Sequence, residues 1–177
     1  DLQAWQSVGY REHFATSSLR CASSALAAYN ELSPKRTRAF DEVKAAAARG
    51  EVPVGAVVVR DGTVLASAGN RTLELKDPTA HAEMLALRLA CEAIGSERLI
   101  GCDLYVTLEP CPMCAAAISF SRIRRLYFGA GDPKGGAVEN GVRLYESPTC
   151  HHAPEVYGGL RETEAAGLLR DFFRERR

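Results

Sequence analysis

The sequence predicts an α/β protein, with a mixed sheet of about five strands and helices on both faces of that sheet. Three observations lead to this fold class. Two apolar stretches flank Asp61-Gly62, a pair typical of a tight β-hairpin, which supplies an antiparallel edge. A strand, a helix and a second strand follow one another with short connections, which favours a parallel pair. Near the C-terminus, an amphipathic pattern predicts a helix that covers the sheet.

The first half of the chain predicts a helix followed by the hairpin. Residues 33–49 open with Ser-Pro, which suits a helix cap and first helical position, and Gly50 suits the end of that helix. Residues 54–60 predict a buried strand, and residues 63–68 predict the strand that returns from the turn.

The second half predicts two helices and the strands around the second of them. Asp77 and Pro78 suit the cap and first position of a helix, and the apolar residues that follow indicate that it is buried. Residues 103–108 predict a strand that leads into a helix opened by prolines at 110–112. Residues 124–129 predict the strand that leads out of that helix.

Two further regions complete the organisation of the chain. Residues 131–154 are rich in Gly and Pro without periodicity, and such a loop in a compact domain is usually functional. We expect residues 1–33 to be an extension without an assigned function, and residues 34–177 to be one domain. The final helix, predicted at 161–176, places five apolar residues on one face: Ala165, Leu168, Leu169, Phe172 and Phe173.

Composition narrows the class of protein. Lys plus Arg and Asp plus Glu both total 22, so the formal net charge is zero. A net charge of zero argues against binding of nucleic acid over the whole protein surface, but it allows a local basic patch. Because no apolar run reaches the length of a membrane span, we expect no membrane association. Six cysteines without a disulfide spacing favour a reducing cytoplasm.

One histidine, one carboxylate and a C-x-x-C pair have the composition of a catalytic zinc site. His81, Cys111 and Cys114 supply three ligands, and three protein ligands with an open position are typical of catalytic rather than structural zinc. Glu83 follows the histidine by two residues, which lets it reach a zinc-activated water without binding the metal. We therefore predict one zinc ion per chain, with Glu83 as general acid and base.

The remaining cysteines and histidines predict no second metal site. A C-x-x-C alone is also typical of redox and structural-zinc sites, but the upstream H-x-E favours catalysis. His151-His152 has no Cys or acidic residue at ligand spacing, and we expect a loop pair in contact with substrate. The other four cysteines lack partner spacing and are expected to be unpaired thiols: Cys21, Cys91, Cys102 and Cys150.

Zinc deaminases that act on nucleobases have a signature of H-x-E followed by P-C-x-x-C. This chain has His81-Ala82-Glu83 and then, at residues 110–114, Pro-Cys-Pro-Met-Cys. From about residue 39 to the end, the chain resembles the cytidine-deaminase-like superfamily and, within it, the bacterial tRNA adenosine deaminases. This resemblance implies a three-layer α/β/α fold and a homodimer. It also implies hydrolytic deamination of adenosine to inosine at the wobble position of a tRNA anticodon loop, where little unstacking energy is needed.

The resemblance further implies a set of substrate contacts. Asn70 matches an asparagine that contacts the base or its sugar, although a simple turn residue after Gly69 stays open. Val54 and Leu108 match apolar positions that line the base pocket. Asp132 and Lys134 match positions near the flanking sugar and phosphate, with a proline between them where the family has a small variable residue.

Basic residues supply candidate phosphate contacts. Arg122, close to the cysteine helix, and Arg174, in the last helix, are predicted to bind substrate. The alternative that these arginines only form a solvated face stays open, because most runs of surface charge have no other role. The set expected to form one face near the zinc comprises Arg122, Arg124, Arg125, Lys134, Arg170, Arg174, Arg176 and Arg177.

Two other classes of protein compete with this hypothesis. A deaminase of a free base or nucleotide, such as guanine or cytosine, uses the same zinc motif but needs no basic helix and no extended groove. A non-catalytic module with a structural zinc leaves Glu83 unexplained and lacks a fourth ligand.

Overall fold

The computed structural model describes residues 33–176, with side chains from residue 37 onward. The described residues belong to one compact unit. The predictions for the extension at residues 1–32, for Cys21 and for Arg177 lie outside the described residues. No helix in the part of the chain that is described is long and apolar enough to cross a membrane.

Five α-helices and five strands make up the described region, and a short 3-10 helix, Leu144–Glu146, interrupts the long loop. The elements, in chain order, are α1 (Ser33–Ala48), β1 (Gly55–Arg60), β2 (Thr63–Gly69), α2 (Thr72–Leu75), α3 (Ala82–Ile94), β3 (Cys102–Leu108), α4 (Pro112–Phe120), β4 (Arg125–Ala130), β5 (Glu155–Tyr157) and α5 (Glu162–Arg174).

The sheet is mixed and has the order β2-β1-β3-β4-β5. Strand β1 is antiparallel to both β2 and β3, whereas β3, β4 and β5 run parallel to one another. The hairpin turn between β1 and β2 is Asp61-Gly62, and both residues have positive φ, of 48° and 82°. These values match a two-residue hairpin of type I′. The predicted mixed sheet, its antiparallel edge and its parallel pair are confirmed.

Alternate residues of the central strands face two different helical layers. Val58, Leu104 and Leu126 pack in the large core with residues of α3 and α4. Val57 and Tyr105 point the other way, into a cluster that contains Ala39 of α1. Helix α5 packs on that second face as well, through Ala165 and Leu168 beside Phe40 of α1. The period of two along each strand therefore produces the expected three layers.

Two local predictions are wrong. Asp77 does not cap a helix: its carboxylate accepts hydrogen bonds from the backbone N–H and the hydroxyl of Thr79, both at 2.7 Å. Such an Asx turn competes with helix formation, and α3 begins only at Ala82. At the other end of the chain, Phe173 is 51% exposed while Phe172 is buried. Successive helical residues differ by about 100°, so a narrow buried face admits only one of the pair.

Candidate active site

The pairing of the strands brings four separate segments to one edge of the sheet. Because β3 and β4 are parallel, their carboxyl ends meet there, with Leu108 opposite Ala130. Strand β1 runs the other way, so its first residue, Gly55, lies at the same edge, opposite Gly69 at the end of β2. The segments that follow or precede these strand ends form the candidate site. This is the edge at which open α/β sheets bind ligands.

The three predicted metal ligands come together at this edge. The candidate donor atoms of His81, Cys111 and Cys114 lie within 4.8 Å of one another. The Nδ1 atom of His81 is 3.7 Å from Cys111 Sγ and 3.6 Å from Cys114 Sγ. Zn–N and Zn–S bonds of about 2.0 and about 2.3 Å at tetrahedral angles would place these atoms about 3.6 Å apart. The donor set and its spacing therefore fit zinc.

Two helix starts deliver the ligands. Cys111 is the N-cap of α4, and Pro112 takes the first helical position, where its missing N–H costs nothing. Cys114 follows in the first turn and is fully buried. His81 is the N-cap of α3. Both helices thus direct their positive ends toward the cluster, which favours thiolate over thiol.

Hydrogen bonds inside the cluster separate the acidities of the two thiols. The hydrogen bond with Cys114 lowers the pKa of Cys111 to about 4. The same hydrogen bond, together with burial, raises the pKa of Cys114. The hydrogen bond with Cys111 raises the pKa of His81. Because zinc binds cysteine as the thiolate, its affinity for this donor set falls as the pH decreases.

Glu83 sits in the first turn of α3 and is 4% exposed. Burial raises the pKa of this carboxyl to about 7. The positive charge of a bound cation opposes that shift. A carboxyl that titrates near neutrality can both accept and deliver a proton under physiological conditions, as a general acid and base must.

Asn70 follows β2 directly and is 6% exposed. Its Oδ1 accepts a hydrogen bond of 2.7 Å from the backbone N–H of Ala82, the residue between His81 and Glu83. Its own backbone N–H donates to the carbonyl of Val54 at 3.2 Å. No hydrogen bond among the described residues uses its Nδ2, which is therefore available to donate to a ligand. Asn70 is thus more than a turn residue, because it holds the start of the catalytic helix.

Val54 and Leu108 provide apolar surface at the same edge. Val54 is buried immediately before β1, and half-buried Leu108 is the last residue of β3. Both pack against the large core that includes the residues of α3. Their predicted role as walls of a base pocket stays a prediction, but their location beside Asn70 and the cysteine helix suits it.

Asp132 and Lys134 lie in the loop that follows β4. The carboxylate of Asp132 accepts hydrogen bonds from the backbone N–H groups of Lys134 and Gly135, both at 3.0 Å, and the side chain of Lys134 is exposed. The backbone N–H of Ala137 donates to the carbonyl of Pro110 at 3.0 Å. The loop therefore lies against the residue that precedes the metal ligand Cys111.

Arg124 and Arg125 are not brought to this edge. Arg124 makes two hydrogen bonds of 2.9 Å with Asp103, and Arg125 lies 2.9 Å from Glu155. Both arginines are at the start of β4, at the edge of the sheet opposite Cys111. The expectation that all the basic residues form one face near the zinc is therefore wrong.

Arg122 and Arg174 also lie away from the ligands. Arg122 follows α4, whose nine residues separate its two ends by about 13 Å. Its guanidinium donates to the carbonyl of His151. Arg174 pairs with Asp171 at 3.1 Å on α5, which packs against the face of the sheet opposite α3 and α4. Substrate contacts by these two arginines stay predictions.

The histidine pair and the Cys150 thiol have structural partners. The Nε2 of His152 lies 2.6 Å from the carbonyl of Ile123, and the ring of His151 lies 5.2 Å from that of Phe120. This geometry anchors the loop to the end of α4, and contact of the pair with substrate stays a prediction. Within the described region the expected unpaired thiols are confirmed for Cys91, Cys102 and Cys150.

Two buried glutamates escaped the reasoning from sequence. Glu51 is 1% exposed and accepts hydrogen bonds from the Thr72 hydroxyl and from the backbone N–H groups of Leu73 and Glu74. Burial alone would raise the pKa of Glu51, but these hydrogen bonds lower it below its usual value. Glu109 is 2% exposed beside Pro110. For Glu109, the available signal was an acidic residue directly after a buried strand with no basic residue nearby in sequence.

Comparisons with known proteins agree with this geometry. The family described as the cytidine and deoxycytidylate deaminase zinc-binding region matches residues 34–130. The tRNA-specific adenosine deaminase of Agrobacterium fabrum is 68% identical over 139 residues, which cover 78% of this chain and 91% of that protein.

Solved structures give the same picture. One solved structure comes from work on A-to-I editing by tRNA:A34 deaminases at the wobble position of transfer RNA. Its sequence is 64% identical to this chain, and the TM-score is 0.76. The match covers 77% of this chain and 99% of that one. A guanine deaminase from Nitrosomonas europaea is 27% identical with a TM-score of 0.63, covering 78% of this chain and 82% of that one.

Proposed function

We propose that the chain, which belongs to the tRNA-specific adenosine deaminases within the family of the cytidine and deoxycytidylate deaminase zinc-binding region, converts adenosine to inosine in tRNA. The reaction is hydrolytic: water replaces the amino group of the adenine ring, and ammonia leaves. The observation that carries this proposal is that three zinc donors lie together with the buried carboxyl of Glu83, whose pKa is raised by burial to about 7. Following the relatives, we assign the wobble adenosine of the anticodon loop as the target.

His81, Cys111 and Cys114 would hold the zinc ion, one per chain. When bound, zinc activates a water molecule as a nucleophile at neutral pH. The carboxylate of Glu83 takes a proton from the attacking water. It delivers that proton to the ring nitrogen, then takes the second proton from the oxygen that has added to the ring and delivers it to the departing amino group, so that ammonia and inosine result.

Asn70 and its neighbours would hold the target nucleoside. The Nδ2 group of Asn70 is free to donate to the base or its sugar while its Oδ1 holds the start of α3. Val54 and Leu108 would form apolar walls against the ring. Asp132 and Lys134 would bind the flanking sugar and phosphate, and the exposed Lys134 supplies a positive charge for the phosphate.

Arg122 and Arg174 have a different place in the proposal. Because both side chains lie away from the metal ligands, we assign them to phosphates beyond the target nucleotide. Neither is needed for the chemistry.

The competing classes have less support. The guanine deaminase is a distant relative at 27% identity, compared with 68% for the tRNA-specific enzyme. A structural zinc needs a fourth protein ligand, and within the described residues the donor cluster contains only three. Glu83 also has an evident purpose only in a catalytic site.

We further propose three features of the protein as a whole. The deaminase domain spans residues 34–177 after an extension at residues 1–33, the enzyme is a homodimer like its relatives, and it works in the cytoplasm. The free thiols at Cys91, Cys102 and Cys150 suit a reducing compartment. Analytical ultracentrifugation tests the homodimer, and a monomer at micromolar concentration contradicts it.

An assay of ammonia and inosine tests the function. The zinc-loaded protein is incubated with tRNA and, separately, with free adenine, guanine and cytosine. We expect inosine at one position of the tRNA and no ammonia from the free bases. Rapid release of ammonia from guanine or cytosine, with no inosine from any tRNA, would refute the proposal.

A further inference from the structure

Glu109 occupies a position that the mechanism does not use. It lies between the last residue of β3, Leu108, and the prolyl residue before the metal ligand Cys111. Its side chain is 2% exposed, and no ion pair within the described residues involves it. A buried carboxylate without a cation is costly unless peptide groups compensate its charge.

The compensation comes from one segment of the chain. Oε1 of Glu109 accepts hydrogen bonds from the backbone N–H groups of Val138, Glu139 and Asn140, at 3.0, 2.8 and 2.8 Å. Oε2 accepts from the backbone N–H of Asp132 at 2.8 Å and from Nδ2 of Asn140 at 2.6 Å. Five donors from residues 132–140 therefore surround a single carboxylate, in the manner of a backbone nest around an anion.

The packing around this carboxylate leaves no spare room. A Cβ added at Gly136 would lie 2.5 Å from Cδ of Glu109 and 2.6 Å from its Oε2. The backbone N–H of Ala137 meanwhile donates to the carbonyl of Pro110. Residues 132–140 are thus tied to the two residues that lead into Cys111. We name residues 132–140 the anchored loop.

The anchored loop carries the groups that we assign to the flanking nucleotide. Asp132 binds Glu109 through its backbone while its own carboxylate shapes the turn with Lys134, whose side chain is exposed. A change in the carboxylate of Glu109 would therefore move these groups relative to the metal ligands. Displacement of a binding group by about 1 Å is enough to lower the efficiency of an enzyme strongly.

The structure assigns Glu109 the role of a positioning residue: its carboxylate fixes the anchored loop, and with it Asp132 and Lys134, at a set distance from the zinc site. This inference rests on the proposed function, because it gives the loop an RNA substrate. Glu109 itself takes no part in proton transfer and binds no metal.

The test is the substitution Glu109→Gln, which keeps the size of the side chain. One oxygen becomes an NH₂ group, so at least two of the five donors lose their acceptor. We expect one zinc ion per chain as in the unaltered protein. For an anticodon stem-loop RNA, we expect KM to rise about tenfold while kcat changes less than about threefold, the pattern of lost substrate binding.

Gly136→Ala provides a second variant, because the added methyl group presses on the same carboxylate. We expect the same direction of change in KM. Asp103→Asn is the matched control: it also replaces a buried carboxylate by an amide, but at the other end of β3, where its partner is Arg124. We expect it to lower stability without changing KM.

Hydrogen exchange gives a readout that does not depend on RNA. Backbone amides of the anchored loop should exchange faster in Glu109→Gln, with no change in α3. Unchanged exchange in the loop would overturn the inference, as would faster exchange with an unchanged KM. Loss of zinc from the variant would overturn it too, because Glu109 would then act on the metal site.

The two proposals fail in different ways. If the unaltered protein makes no inosine, the proposed function is wrong, and the RNA role of Glu109 is wrong with it. If the unaltered protein is active and Glu109→Gln resembles Asp103→Asn in both KM and exchange, only the inference about Glu109 is wrong.

Discussion

The two ends of strand β3 each carry a cysteine and a buried carboxylate. At the start of the strand, Asp103 binds the guanidinium of Arg124, and burial raises the pKa of the Cys102 thiol. After the end of the strand, Glu109 binds only N–H groups, and the hydrogen bond from Cys114 lowers the pKa of Cys111 to about 4. The same residue types thus give inert structure at one edge and reactive groups at the other.

The difference arises from what surrounds each end. At the edge with Asp103, Arg124 and Arg125 pair with the carboxylates of Asp103 and Glu155, so the protein supplies the opposite charge itself. At the edge with Glu109, two helix starts and a loop direct N–H groups inward. The N–H groups of the loop compensate the carboxylate of Glu109 without any cation from the protein, and the hydrogen bond with Cys114 favours the thiolate form of Cys111.

Loss of a zinc ligand should have the largest effect on activity and stability. It also gives the sharpest distinction between Cys114 and Cys102. We expect Cys114→Ser to lose zinc, activity and thermal stability together, because ligand binding and folding are coupled. Cys102→Ser, a buried thiol at the other end of the sheet, should retain zinc. Elemental analysis measures the zinc content of both variants, and thermal denaturation measures their stability. Full zinc content in Cys114→Ser would remove that residue from the ligand set.

Replacement of the proton carrier should come next in size. Glu83→Ala should keep one zinc ion per chain but lower kcat by at least about 10² to 10⁴-fold, the usual contribution of a general acid and base. Single-turnover formation of inosine measures the loss. If zinc disappears along with the carboxylate, then Glu83 is a ligand and the assignment of its role is wrong.

Basic residues at the two edges should contribute differently to the salt dependence of RNA binding. Lys134→Ala should reduce the slope of log affinity against log salt concentration by about one unit, because one phosphate contact is lost. Arg124→Ala should leave that slope unchanged, since its guanidinium is engaged with Asp103. Arg174→Ala should have a smaller effect on affinity than Lys134→Ala. Equal slopes for Lys134→Ala and the unaltered protein would contradict the proposed phosphate contact.

The smallest effect concerns acid stability. Hydrogen bonds hold the pKa of Glu51 below its ordinary value of 4.5 against the opposing effect of burial. A lowered folded-state pKa stabilises the protein above the unfolded pKa, and this contribution is lost as the pH falls through the folded value. Glu51→Gln lacks this contribution, so its free energy of unfolding should fall less steeply than that of the unaltered protein as the pH decreases below 4.5. Urea denaturation at several pH values measures the slope, and identical slopes would contradict the assignment.

Local spacing in the sequence was sufficient for the reactive centre. The three ligands and Glu83 lie in two short segments, each at a helix start. Pro112 marks the start of α4, whereas α3 starts at Ala82 and not at the predicted Pro78. The hairpin at Asp61-Gly62 was equally predictable, because only two residues with positive φ complete that turn. In all of these cases the interactions that decide the structure span a few residues.

Only the tertiary structure decided how the segments meet. Val54, Asn70, Leu108 and Asp132 share one edge because of the order and direction of the strands, which depend on pairing between distant parts of the chain. The same pairing carried Arg124 and Arg125 to the far edge. The hydrogen bonds of Glu109 reach residues 23 to 31 positions away, so no local pattern could reveal them. Short-range geometry selects helices, turns and ligand spacing, whereas strand pairing decides which polar groups become neighbours.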